Sequence, residues 1–363
     1  MIALIWEYKQ SALGYQLVHK LANAGLDARV FIKNEQPSLN DKTNGNLIDA
    51  KFPPRIVKEG SLSAAVKEAN AVMTLMSTAQ EVEDVYLGSG GIFENALPAS
   101  FFIDLSTSNP RLAKEIHALA AINDHRFIDA PLDGDADMFQ TGNFRIYAAG
   151  EPDSLEAALP ILRALTSDVL VAGLPGCGST MKLTSQIALA NVIIGVVEAV
   201  TFSLAAGMKG EQVLMALESN AAAKTAALAF GKKIVDEDFY YGLELQQFFF
   251  DLSSALDVAT EYELALPGLE TAHRLYDLFV LVGGAKKGIH ALALCNFEED
   301  RCVSHGLNWE LAFQTMDIYD RANDAMNDDL DYDDECDDED CRYHSHHRYD
   351  DGPPTMSRYF SSN

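Results

Sequence analysis

A chain of 363 residues, 48% of them hydrophobic, is long enough for two domains with a substantial core. Its net charge of -27 argues against nucleic acid or an anionic membrane surface as a partner. Five sparsely spread cysteines, Cys177, Cys295, Cys302, Cys336 and Cys341, fit a reducing cytoplasm rather than a disulfide framework, and Glu7 and Lys9 interrupt the apolar start too soon for a signal peptide.

The chain opens with an apolar run over residues 2–5. A helix-like stretch from about Ala12 to Ala24 follows, ended by Gly25, and a second apolar run covers residues 28–32. Strand, helix and strand in about thirty residues form a βαβ unit, which implies a parallel sheet. Further strands are expected at residues 71–76, 101–105, 127–130, 144–149 and 169–172, with amphipathic helices such as Arg111 to Ala121 and Ser154 to Leu165 between them. Residues 1–174 therefore read as an α/β domain with a Rossmann-type doubly wound parallel sheet.

A turn containing Gly173, Pro175, Gly176 and Gly178 leads into a segment apolar on nearly every face, with Ser179 or Thr180 as the expected N-cap. A helix apolar all round is a buried one. Gln186, Asn191 and Glu198 interrupt the run and argue against a membrane span. It reads as the central helix of an all-helical second domain over residues 179–320. Beyond it, residues 328–351 hold twelve acids against two arginines, about -10 of the net charge. Such self-repulsion with little apolar surface does not fold alone, so residues 321–363 read as a disordered acidic tail. Its Cys336, Cys341, His344, His346 and His347 are metal ligands by type but match no closed tetrahedral spacing, and the reading is a solvated tail without metal.

The first βαβ unit bears on the cofactor. A dinucleotide-binding turn usually reads G-x-G-x-x-G, letting the backbone approach a pyrophosphate at a helix N-terminus. Here the stretch from Trp6 to Gly14 keeps only Gly14, where the third glycine permits close helix–strand packing. Glu7 beside a pyrophosphate is repulsive, with Lys9 and Ser11 as the groups able to offset it. At the end of the second strand, where an acid would grip the ribose hydroxyls of NAD, stand Lys33 and Asn34. Lys33 suits a 2′-phosphate, which favours NADP over NAD; the plainer alternative is a surface lysine.

Three stretches then carry a resemblance. They are Asp104-Leu105-Ser106-Thr107-Ser108-Asn109-Pro110, Asp129-Ala130-Pro131-Leu132-Asp133-Gly134 with Gly142 downstream, and Gly173 to Lys182. Over about residues 1–295 their order and spacing resemble the β-hydroxyacid dehydrogenase family, which is 3-hydroxyisobutyrate and 6-phosphogluconate dehydrogenase-like. The resemblance implies a Rossmann domain, a helical domain, an active site in the cleft between them, and a homodimer or larger assembly. It places the catalytic lysine on Lys182, the hydroxyl pair near the nicotinamide ribose on Ser106 and Thr107, and the substrate-binding Ser-Gly-Gly on Asp133-Gly134-Asp135. A partly buried lysine in the first turn of a helix favours the neutral amine, which suits proton exchange during hydride transfer.

The departures are as informative. Carboxylates in the substrate pocket repel a hydroxy acid. The asparagine one turn after the catalytic lysine is Gln186, and a Lys-Asp-Leu run is replaced by Phe250-Asp251-Leu252. Two readings follow. One is an NADP-preferring dehydrogenase or reductase acting on a neutral or cationic small molecule such as an imine, an amine or an aldehyde. The other is a pseudoenzyme that has lost dinucleotide binding and serves as a scaffold.

Overall fold

The computed structural model describes residues 1–35, 52–134, 136–240, 245–297, 299–312 and 314. The acidic tail with its cysteines and histidines lies outside them, as do Asp135 and the side chains of Lys9 and Ser11. Two compact units are formed, residues 1–192 with 241–273, and residues 193–240 with the chain from 274 onward.

In the first unit, β1 (Ile2–Glu7) is buried at all six positions, as a strand covered on both faces must be. A single 3-10 turn, Tyr8–Gln10, leads directly into α1 (Ser11–Asn23), and β2 (Ala28–Lys33) pairs parallel with β1. There follow β3 (Ile56–Lys58), α2 (Leu62–Val66), β4 (Ala71–Leu75), α3 (Ala79–Leu87), α4 (Ile92–Asn95), β5 (Phe101–Asp104), α5 (Pro110–Ile122) and β6 (Arg126–Asp129). The sheet is completed by β7 (Leu132–Asp133), α6 (Ala136–Thr141), β8 (Arg145–Ala149), α7 (Pro152–Leu165) and β9 (Asp168–Gly173). Strand order is β3-β2-β1-β4-β5-β6-β8-β7, with β9 beside β8. From β3 to β6 every pairing is parallel, while β8 runs antiparallel to β6 and β7. The order reverses between β1 and β4, and the crevice at the carboxyl ends of the strands there is where such sheets take ligands.

Strand alternation sorts the core onto two faces: Ile2, Leu4 and Trp6 into one cluster, Ala3 and Ile5 into the other. Trp6 was expected in the loop but belongs to β1, with its indole fully buried beneath α1. A Cβ on Gly14 would lie 2.5 Å from the Trp6 ring, so this glycine is what lets α1 settle on the strand. Helix α5 starts where the sequence dictates: Asn109 Oδ1 accepts from the Arg111 amide at 2.7 Å, and Pro110 takes the first helical position.

The long helix α8 (Cys177–Ala205) begins before Ser179. Its N-terminal cap is neither Ser179 nor Thr180 but Asp129 at the end of β6, which accepts from the amides of Gly176 at 2.9 Å and Ser179 at 3.0 Å. Residues through Val192 of this helix belong to the first unit, so the compact units divide inside α8 rather than at the sheet-to-helix change near Leu174. Helices α9 (Gly210–Ser219), α10 (Lys224–Ala226) with a π turn after it, and α11 (Lys232–Val235) lie in the second unit. The first unit regains α12 (Leu245–Glu261), and α13 (Pro267–Leu281) passes from the first unit to the second. A 3-10 segment, Ile289–Asn296, and α14 (Glu299–Ser304) complete the helical part. Within the second unit the Tyr276 hydroxyl donates to the Ile289 carbonyl, and the thiols of Cys295 and Cys302 are buried.

Candidate active site

Lys182 lies in the second turn of α8, because the helix starts at Cys177. Its Nζ donates to Asp133 Oδ1 at 2.8 Å and lies 3.7 Å from Asp251 Oδ2. Asp133 ends the two-residue strand β7, and Asp251 lies in α12, so sheet and helix each deliver one carboxylate to the ammonium. Asp133 accepts three further bonds: from Gln186 Nε2 at 3.0 Å, the Ser185 hydroxyl at 3.2 Å and the Tyr147 hydroxyl at 2.8 Å. Ser185 and Gln186 follow Lys182 at the helical spacing of three and four residues, which sets all three on one face. Asp251 accepts from Gln247 Nε2 at 3.1 Å and from the side chain of Thr107.

The electrostatics correct one expectation. Burial does oppose the charge on Lys182, but Asp251 and Asp133 outweigh it and raise the lysine above its ordinary value. The helix dipole has faded by the second turn. Lys182 is therefore an ammonium, not a neutral amine. Burial pushes Asp133 upward, yet the lysine and the hydroxyl donors prevail and hold it below the usual carboxylate range. For Asp251 burial wins, and its carboxyl is raised.

Two other expected residues have different work. The Ser106 hydroxyl donates to Asp104 Oδ1 at 2.6 Å and accepts from the Met76 amide at 2.8 Å, which commits it to the loop after β5. Asp104 itself, pushed up to about 6 by burial, also accepts from Thr74 at 2.9 Å. Gly134 is a packing glycine: a Cβ there would meet Met138 at 3.2 Å and Phe144 at 3.3 Å.

The crevice between β1 and β4 holds a polar line that no sequence motif announced. The Ser77 hydroxyl donates to Glu7 Oε2 at 3.2 Å, and Gln10 Nε2 donates to Ser77 at 3.3 Å and to Gln247 Oε1 at 2.8 Å. Through Gln247 and Asp251 this line reaches Lys182.

Comparisons with known proteins bear on the family and the fold. Residues 11–173 match the family described as the NAD binding domain of 6-phosphogluconate dehydrogenase, and residues 176–295 match that of the NAD-binding part of NADP-dependent 3-hydroxyisobutyrate dehydrogenase. The uncharacterized oxidoreductase YkwC of Bacillus subtilis is 32% identical over 226 residues, 62% of this chain and 78% of that protein. The chain belongs to the β-hydroxyacid dehydrogenase family. A probable 3-hydroxyisobutyrate dehydrogenase-like protein of Arabidopsis thaliana is 26% identical over 280 residues, covering 77% of this chain and 83% of that one. The fold is shared with Mycobacterium tuberculosis 3-hydroxyisobutyrate dehydrogenase, at TM-score 0.69 and 22% identity over 81% of this chain and 98% of the other.

This family is one of NAD(P)-dependent oxidoreductases, so a nicotinamide dinucleotide is the implied cofactor. The residues of the crevice fit one. Among the described side chains none caps the start of α1, which lies at the carboxyl end of β1, and an N-terminus so placed suits an anion. Trp6 is in the core and does not fill the crevice. Glu7 is turned inward, 3% exposed and bonded to Ser77, and its register partner on β2 is Lys33. The match to the dinucleotide-binding family begins at Ser11, so residues 6–10 of the altered stretch stand outside the matched range and Ser11 to Gly14 within it.

Proposed function

We propose that the protein is an NADP-preferring reductase or dehydrogenase whose pocket takes a small neutral or cationic substrate, such as an imine, an amine or an aldehyde without a carboxylate, in place of a hydroxy acid. One observation carries the reading: the Asp133 carboxylate already engages Lys182, Gln186, Ser185 and Tyr147. A substrate carboxylate would have to displace Asp133 or lie against it. Like charges about 4 Å apart repel by roughly 4 kcal/mol at the effective dielectric of a protein site. With Asp251 the site holds two carboxylates for one ammonium, which favours a cation.

In this reading the nicotinamide supplies or accepts the hydride. The start of α1 and Lys33 would hold its phosphates, and Thr107, bonded to Asp251, would orient the nicotinamide end. Lys182 as an ammonium gives its proton to the carbonyl oxygen or imine nitrogen. Asp133 and Gln186 receive the substrate; Gln186 Oε1 is buried without a hydrogen-bond partner, an acceptor suited to a substrate N–H or O–H. Asp251 positions the lysine. The test is NADPH oxidation with cyclic imines and simple aldehydes against their carboxylated analogues. Faster turnover of the uncarboxylated members, lost in Lys182→Ala, supports the reading; preference for the acids, or unchanged turnover in Lys182→Ala, overturns it.

The scaffold reading has one observation in its favour: the Gln10 side chain spans the switch point from Ser77 to Gln247, and those bonds must be exchanged when a dinucleotide enters. Failure to bind NADPH at millimolar concentration would select it.

We also infer a homodimer in the cytoplasm. Among the described residues α8 is long and apolar enough to cross a membrane. Its Lys182, Ser185 and Gln186 are bonded to Asp133, which ties it into the folded unit. Phe202 on this helix is 76% exposed, an apolar surface that a second copy would cover. Phe202→Glu should shift the sedimentation of the protein to that of a monomer.

A further inference from the structure

Beyond its bond to Asp133, Tyr147 has no chemical role in the scheme so far. It lies in β8 two residues from Arg145, so their side chains share a face of the strand. Asp133 is the register partner of Arg145 on antiparallel β7, which sets phenol, guanidinium and carboxylate side by side. The Tyr147 hydroxyl donates to Asp133 Oδ2 at 2.8 Å, while Lys182 donates to the other oxygen, Oδ1, also at 2.8 Å. Tyr147 is in turn hydrogen-bonded to Arg145, whose side chain is 40% exposed and anchored on Asp168 by Nε at 3.0 Å and Nη2 at 2.9 Å. The side chain of Lys182 is 4% exposed. A continuous line thus runs from a buried ammonium through Asp133 and Tyr147 to a guanidinium at the surface. A buried lysine that gives up a proton in every turnover has to regain one, and this line is a route by which it can.

We propose that Tyr147 is a proton-relay residue that recharges Lys182 through Asp133. This rests on the reading of Lys182 as the proton donor. After that donation the lysine is a neutral amine. The phenol O–H breaks and its proton passes to Asp133 Oδ2, forming a carboxyl O–H. The carboxyl turns and gives the proton to Lys182 Nζ, where the new N–H forms. The phenolate, steadied by the Arg145 guanidinium, takes a proton from water, and the hydroxide left is neutralised by bulk solvent. Each O–H or N–H broken is matched by one formed, and no oxidation state changes. Tyr147 acts on the lysine only through Asp133 and is a positioning residue in that sense.

The test needs neither cofactor nor substrate. In the full chain labelled with 15N-lysine, the exchange of the Lys182 ammonium protons with water is measured, the signal being identified by its loss in Lys182→Arg. Tyr147→Phe should slow this exchange at least tenfold and leave the 15N shift in place, because both carboxylates remain. Arg145→Gln, a milder change near the surface, should slow it in the same direction and serves if Tyr147→Phe does not fold. Unchanged exchange in these variants overturns the proposal. So does faster exchange with a displaced signal, which is what a loosened Asp133 would give. Titration of NADPH into the unmodified chain reports separately on the underlying reading: absent binding removes the enzymatic role, while the exchange rates still decide whether the route exists.

Discussion

Replacing Lys182 by Met shows what the two carboxylates demand of the ammonium. Methionine keeps most of the apolar stem, so packing changes little. What is lost is a cation 2.8 Å from Asp133 and 3.7 Å from Asp251, whose side chains are 18% and 2% exposed. Removing one partner of a buried pair costs about 3–5 kcal/mol. Tyr147, Ser185 and Gln186 still solvate Asp133, and Gln247 and Thr107 still solvate Asp251. The expectation is therefore the low end, about 3 kcal/mol at neutral pH. For a unit of this size that lowers Tm by roughly 6–12 °C.

The pH dependence has a definite sign. In the native chain burial pushes Asp133 up and Lys182 together with the Tyr147 and Ser185 hydroxyls more than compensates, while Asp251 is already raised. Without the lysine both carboxyls rise above the unfolded value of about 4. An acid whose folded pKa is raised costs stability above that pKa, and the cost disappears as pH falls through it. Thermal unfolding followed by circular dichroism should show the full defect near neutrality and a much smaller one at about pH 4, where the unfolded carboxyls also take up protons. An equal loss at both pH values, or a loss below about 1 kcal/mol, would refute the buried pair.

Three further changes test other parts. Glu7→Gln removes the carboxylate from the floor of the crevice and should tighten NADPH about fivefold, on the order of 1 kcal/mol, as read by nicotinamide fluorescence; weaker or unchanged binding would mean that Glu7 does not sense the phosphates. Gly14→Ala would place a Cβ 2.5 Å from the Trp6 ring. It should cost about 1–3 kcal/mol in urea unfolding, and a neutral result would show that α1 can lift from β1 without penalty. Asp133→Ser should raise kcat/KM for carboxylated substrates relative to uncarboxylated ones at least tenfold, about 1.4 kcal/mol of discrimination. An unmoved ratio would relieve Asp133 of any part in substrate choice.

The parallel sheet was legible because its signals are local and repeated. Apolar runs of strand length alternating with helical patterns leave one class of fold, and Asn109-Pro110 marks the start of α5 without help from tertiary structure. Gly14 was readable as a packing glycine, although the ring it admits, Trp6, was expected in the loop. Lys182 was found through the stretch in which it lies, but its charge was not. That depends on Asp133 and Asp251, distant from it in sequence, arriving on either side. Ser179 and Thr180 looked like caps because nothing local shows that Asp129 from β6 reaches the amides first. Tyr147, Gln10 and Gln247 carried no motif. The one signal available for Tyr147 was the period-2 pattern of β8, which puts it on the face of Arg145 and beside Asp133 only once the β7–β8 register is known.

The most direct measurement is a fluorescence titration of NADPH and NADH into the full chain. Saturable enhancement of nicotinamide emission at micromolar NADPH, with weaker binding of NADH and a loss of NADPH affinity in Lys33→Ala, is the expected result. No binding of either dinucleotide at millimolar concentration would contradict the enzymatic assignment and leave Lys182, Asp133 and Asp251 as the buried charges of a scaffold.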